Sequence, residues 1–308
     1  MKFNDDAALK LANTIIPLYE KRKPPYDIQS CETILPEGVE KKSKEHALYL
    51  FYASMGNYRV DAETFYSSTR RLYEKHPEYF EPKTIIKEFT IEADDSSYLK
   101  RILNDQEVTN SNNLPSIIQE NLGGSWWEVS RRWWNNSLEL EKYDYDPRNL
   151  FEEGDIVDDV FKKLDGKKHR KTKIQTGFRG MKQKIGNMLI NQYIETDIFP
   201  KHISKNSKVP IDFHVINLCV AHNILTDFEN GIRDTKVSAF LDKELTRFCP
   251  EYKINALSFD KALWRLGKYS CSDNNSHNNC PVKCKKNIES STYFDSGKIV
   301  VIDNPRDC

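Results

Sequence analysis

The sequence predicts an all-α protein, or nearly so, of 308 residues. Apolar residues recur at helical spacing in a long series of segments. Helix start and stop residues bound those segments. One stretch near the C-terminus reads as strand, turn and strand, and no internal repeat is present.

The elements follow in order. Ala7 to Lys21 is amphipathic and closes before Pro24-Pro25. Lys44 to Ser54 is an apolar helix, and Asp61 to Lys75 follows with Asp61 as its N-cap. Pro82 to Glu92 and Ser96 to Asn104 read as helical. Pro115 to Leu122 is short and stops at Gly123-Gly124. Trp126 to Asn135, Asp155 to Leu164, Lys182 to Ile194 and Phe213 to Leu225 continue the series. Val237 to Cys249 and Ser258 to Leu266 complete it. Thr292-Tyr293-Phe294 and Lys298 to Ile302 can pair as a short C-terminal β-hairpin across Asp295-Ser296-Gly297.

Hydrophobic content is 38%, aromatic 11% and charged 30%, a composition able to bury a core. No apolar run approaches a membrane span, so no membrane partner is expected. Asp5 and Asp6 stand where a signal peptide needs apolar residues, so a cytoplasmic protein is expected. Its seven cysteines then read as thiols or metal ligands rather than disulfides. Net charge is zero but unevenly spread. Lys162 to Lys208 holds thirteen Lys/Arg against Asp165, Glu195 and Asp197, a net +10, leaving −10 elsewhere. Ser137 to Val160 holds nine acids against Lys142 and Arg148. Such segregation suits a basic face for a polyanion; the plainer alternative is a solvated loop at Lys167, Lys168, Arg170 and Lys171.

Within the basic segment, Gly177-Phe178-Arg179-Gly180-Met181-Lys182-Gln183-Lys184 is a Gly-containing turn leading to an amine. Further on, Pro210-Ile211-Asp212-Phe213-His214-Val215 places a carboxylate at a helix start. An amine and a carboxylate brought together can attack a sugar carbon that carries a base.

These stretches resemble the helix-hairpin-helix (HhH-GPD) DNA glycosylases, the superfamily of endonuclease III and 8-oxoguanine glycosylase. The family hairpin reads Leu-Pro-Gly-Val-Gly-x-Lys-x-Ala. Here Gly180 matches the first glycine and Lys182 replaces the second. Ile211-Asp212-Phe213-His214-Val215 is similar to the family's Val-Asp-x-His-Val. His46 to Lys75 resembles an early helix pair whose loop, Ser54 to Arg59, enters the duplex with Asn57 or Tyr58 as the wedge. Leu263 to Cys271 resembles the helix leading to an iron–sulfur loop. The resemblance runs in order from about residue 44 to 285 and looks nearest the archaeal branch.

The resemblance implies two helical lobes, residues 1–43 with 210–308 and residues 44–209, in a monomer that binds double-stranded DNA between them. It places Lys184 at the nucleophile and Asp212 at the catalytic aspartate. Breaking a C1′–N bond makes a cation-like sugar, which a carboxylate stabilises and an amine traps as a Schiff base. The chemistry needs no cofactor. Asp212 also reads as an N-cap and Lys184 as a surface lysine, the structural alternatives. Lys182 is the fallback amine. Gly180 would aim backbone N–H groups at a phosphate, with Arg179 and Lys182 adding charge; packing alone is the other use of such a turn.

Trp126, Trp127, Trp133 and Trp134 repeat every seven residues, so each pair shares a helix face. One pair suits the core, and Trp126 and Trp127 are candidates to wall an extruded base. Cys271, Cys280 and Cys284 depart from the family's four-cysteine loop. His277 would restore four ligands, a set that fits zinc or iron–sulfur, and Cys249 or Cys308 are other fourth ligands. A metal-free loop is equally consistent. Cys31 and Cys219 read as unligated.

The function expected is excision of a damaged or modified base, in repair or in defence against phage with modified DNA. One alternative is an N-glycosylase of a free modified nucleotide, because Leu122-Gly123-Gly124-Ser125-Trp126 resembles a stretch of the queuosine-salvage nucleosidases. Another is a non-catalytic DNA-binding module.

Overall fold

The computed structural model describes residues 1–27, 29–56, 62–88, 118, 126–165, 167–168, 175–270, 280–282, 284 and 286–303. Over these the chain is mostly helical, with a few two- and three-residue strands. None of the described helices is long and apolar enough to cross a membrane. The chain divides into two units, Met1–Ser30 with Ser204–Cys308, and Cys31–Ile203. The boundaries read from sequence lay at 43/44 and 209/210.

The Cys31–Ile203 unit is built on the helix Lys44–Gly56, which is buried at every position from His46 onward. Its apolar run has no polar face because neighbours cover it all round. Ala62–Lys75 is amphipathic and buries Phe65, Tyr66, Thr69, Leu72 and Tyr73, one helical stripe. Gly56 lies directly under the Phe65 ring, where a Cβ has no room. Pro82–Glu88 packs on Trp126–Leu140. Trp133 is fully buried, and its indole N–H donates to Tyr52 O at 3.0 Å. Tyr193 donates its hydroxyl to Ala47 O at 2.7 Å, tying Gln183–Glu195 to the central helix. Trp133 and Tyr193 thus each bring a polar tip that finds a backbone carbonyl.

The other unit packs Asp5–Glu20, Phe213–Ala221, Asp234–Glu251 and Ala256–Arg265 around one apolar cluster that includes Leu11, Ile15, Val215, Leu218, Phe248 and Leu263. Asn4 caps the first helix by accepting from Ala7 N at 3.1 Å. Lys2–Phe3 pairs antiparallel with Leu225–Thr226, so the helix expected to reach Leu225 ends at Ala221 and the chain turns into a strand.

The expected C-terminal hairpin does not form. Ser290–Ser296 is a helix, closed by Gly297 at φ 64°, the left-handed conformation that caps helix ends. Lys298–Ile299 pairs with Ile232–Arg233, and Val301–Asp303 with Lys286–Ile288. Of the two expected strands, Thr292-Tyr293-Phe294 is helical and only the Lys298 to Ile302 stretch is extended, with partners elsewhere in the chain. Tyr293 and Phe294 instead stack on Phe213, with ring centroids at 4.7 and 5.1 Å.

Ser96 to Asn104, Asn57, Tyr58 and all of Pro115 to Leu122 except the helical, buried Ile118 lie outside the described residues.

Candidate functional site

The turn at Gly180 is anchored from below. Phe178 and Met181 are fully buried, while Arg179 is half-buried and Lys182 exposed. Phe178 packs edge-on against Phe51 at 5.4 Å. Gly180 has φ 81°, and a Cβ there would lie 3.1 Å from Arg132 Nε. Asn136, itself buried, grips the turn twice: its Oδ1 accepts from Arg179 N at 2.6 Å, and its Nδ2 donates to Arg179 O at 3.0 Å. Arg132 donates to Glu128 at 3.1 Å and to Met55 O at 2.8 Å, holding the guanidinium under Gly180. Glu128 also stands 3.9 Å from the Arg179 guanidinium. Sequence reasoning missed Asn136, Arg132 and Glu128, because no local pattern links them to a turn more than forty residues away.

The helix before this turn is Val157–Leu164. Phe178 N donates to Leu164 O at 3.0 Å, and Asp165 bridges Phe178, so the helix end joins the turn directly. Beyond that junction Lys167–Lys168 pairs antiparallel with Gln175–Thr176. Gly177 leads into the turn at φ 64°, where a Cβ would come within 2.6 Å of Asp165 O. Arg170 and Lys171 lie outside the described residues.

The turn's own amides are largely spent. Arg179 N goes to Asn136, Met181 N to Phe178 O at 3.2 Å, and Lys182 N to Gly180 O at 2.9 Å. The expectation that Gly180 aims its neighbours' N–H groups at a phosphate therefore moves one step on. Gln183–Glu195 opens without a capping side chain, so the amides of Lys184 and Ile185 are left without intrahelical partners. Lys184 is half-buried in this first turn and has no ion-pair partner among the described residues.

The basic segment is less cationic in space than in sequence. Lys163 bonds Glu152 and Asp155, both at 2.8 Å, and Lys162 bonds Asp159 at 2.9 Å. Lys201 pairs with Asp197 at 3.1 Å. The acidic stretch before the segment thus folds back to neutralise its beginning. A pocket of about 380 Å³ in this unit is lined by Glu37, Glu40, Glu45 and Glu74, charges that repel phosphate.

In the other unit Asp212 caps Phe213–Ala221, its Oδ1 accepting from Val215 N at 3.0 Å. The second carboxylate oxygen makes no hydrogen bond among the described residues. Asp212, Phe213 and His214 are all half-buried. The His214 ring meets Trp264 edge-on at 6.5 Å. Behind it Ala256–Arg265 widens into a π-helical turn, Leu266–Ser270, where a Cβ on Gly267 would be 2.6 Å from His214 Cβ.

Lys184 and Asp212 belong to different units. Trp126 and Trp127 open the helix Trp126–Leu140, and Trp133 is fully buried in the core. Of the expected metal ligands, Cys271 and His277 lie outside the described residues. Cys284 is buried, and the half-buried Cys280 directs its thiol to Val282 O at 2.9 Å. Among the described residues no three His, Cys, Asp or Glu converge as a metal site. Cys219 is 1% exposed on its apolar helix, and burial pushes its thiol up to about 12.

No family model, curated protein or solved structure matches this chain.

Proposed function

We propose that the protein is a DNA N-glycosylase acting through Lys184 and Asp212. The observation that carries this reading is the junction of Val157–Leu164, the Phe178–Lys182 turn and the helix Gln183–Glu195, with an amine in the first turn that has no ion-pair partner among the described residues. A helix start with two open amides and lysines at its mouth favours a phosphate. Asp212 supports the reading by its chemistry, since one oxygen holds the cap and the other makes no hydrogen bond among the described residues, and a carboxylate stabilises a developing cation.

In the reaction the Lys184 amine attacks C1′ of an extruded nucleotide. The C1′–N bond breaks, its electron pair leaves with the base, and the base takes up the proton the amine gives up. Ring opening then yields the Schiff base, which permits strand nicking. Asp212 lowers the cost of positive charge at C1′ throughout.

Asp212→Asn tests this cleanly, because Asn caps a helix as well as Asp does. The variant should fold and bind duplex DNA like the parent, yet lose base release by on the order of 10²–10³-fold, as for loss of one electrostatic stabiliser. Full activity on a verified substrate would remove Asp212 from the mechanism.

One observation favours a second reading, N-glycosylase action on a free modified nucleotide. The ion pairs of Lys162, Lys163 and Lys201 shorten the cationic face that a duplex would need.

A further inference from the structure

We propose that Asn187 reads the base presented to Lys184, accepting a hydrogen bond from an exocyclic amine. The substrate would then be an adenine-, cytosine- or guanine-type base rather than a deaminated one. This rests on the glycosylase reading above.

Asn187 is 1% exposed in the interior of Gln183–Glu195. Its Nδ2 donates to Gln183 O at 2.8 Å. A backbone carbonyl only accepts, so this bond fixes which end of the amide is nitrogen. The other end, Oδ1, is buried and has no donor among the described residues. A buried acceptor left so is costly, and few such groups persist in folded proteins. Asn is also a poor helix former. Neither packing nor helix propensity explains the residue.

Its position does. Lys184 and Asn187 are three residues apart on one helix face, about 4.5 Å along the axis. A nucleotide with C1′ at the Lys184 amine extends its heterocycle over a comparable step. Asn191 continues the face and is fully buried. Gln192 is buried beside it, its Nε2 bonded to the Tyr66 hydroxyl at 2.8 Å and its Oε1 without a donor. Amides thus stand behind the amine where a core helix carries hydrocarbon. An acceptor selects a donor, and the exocyclic amine projects furthest from the ring. A ring N–H flanked by carbonyls would bring their oxygens against Asn187 Oδ1, and a base with a carbonyl in the amine's place would be rejected.

The test uses duplexes in matched pairs, 5-hydroxycytosine against 5-hydroxyuracil and 8-oxoguanine against 8-oxoxanthine, with the parent protein and Asn187→Leu. The parent should release the amine-bearing member on the order of 10²-fold faster. Asn187→Leu should erase that preference while its Tm stays equal or rises, because an isosteric apolar group removes an unpaired acceptor. Equal release of both members, release of none by a parent that is trapped by borohydride on an abasic duplex, or a variant that keeps the preference would each overturn the assignment. A parent that neither traps nor releases any base would instead overturn the glycosylase reading beneath it.

Discussion

Asn136→Ala is the sharpest perturbation of the turn. The side chain is fully buried and makes the bonds at 2.6 and 3.0 Å that hold both backbone groups of Arg179. Each such bond contributes about 1 kcal/mol net, and a half-buried N–H and C=O left without partners adds roughly 1–2 kcal/mol more. The loss should be about 3–4 kcal/mol. For a unit of this size that is a fall in Tm of roughly 5–15 °C. Urea unfolding of Asn136→Ala and Asn136→Asp would check it. Asn136→Asp keeps the acceptor for Arg179 N and loses the donor to Arg179 O, so it should damage the turn through that second bond alone. DNA affinity should fall with the turn, since the first-turn amides of Gln183–Glu195 would no longer be held in register. A change within about 0.5 kcal/mol for Asn136→Ala would refute the claim that this clamp holds the turn.

Two further outcomes follow from charge and burial. Duplex affinity should fall steeply with salt through counterion release, and charge reversal at Lys167, Lys168, Arg170 and Lys171 should flatten that slope and weaken binding to all sequences alike; tight, salt-insensitive binding of mononucleotides alone would favour the second reading. Burial depresses His46 and His222 from 6.5 to about 4, so each stays neutral when folded and takes a proton when unfolded. Stability is therefore full above pH 6.5 and drains as pH falls toward 4, by up to about 1.4 kcal/mol per pH unit for each histidine; a Tm that is flat over this window would contradict it.

Local chemistry was legible in the sequence. Asp212 reads as an N-cap because the capping bond spans three residues, and its Oδ1 indeed accepts from Val215 N. The run from Lys44 reads as an apolar helix because Ala47 to Ala53 carries no charged residue, and the structure buries it from His46 onward. What was not legible is long-range. Thr292 to Ile302 carries strand-forming residues around a turn, but Ile232–Arg233 and Lys286–Ile288 take the strands and leave Tyr293 and Phe294 in a helix. The lysines from Lys162 read as a cationic run because the acids that fold onto them, Glu152, Asp155 and Asp159, come just before. Asn136 carries no signature at all, since its partners at Arg179 are set by tertiary packing. The contact of Phe178 N with Leu164 O, which joins the helix end to the turn, was not legible either, because thirteen residues separate the two in sequence.

The most direct measurement is borohydride reduction of the protein on a duplex with one abasic site, followed by peptide mapping of the covalent product. Reduction of the Schiff base to a secondary amine fixes the sugar to whichever amine attacked C1′. The reading predicts one adduct, on Lys184, lost in Lys184→Gln. An adduct on Lys182 or on another lysine, or no covalent product at all, would contradict it.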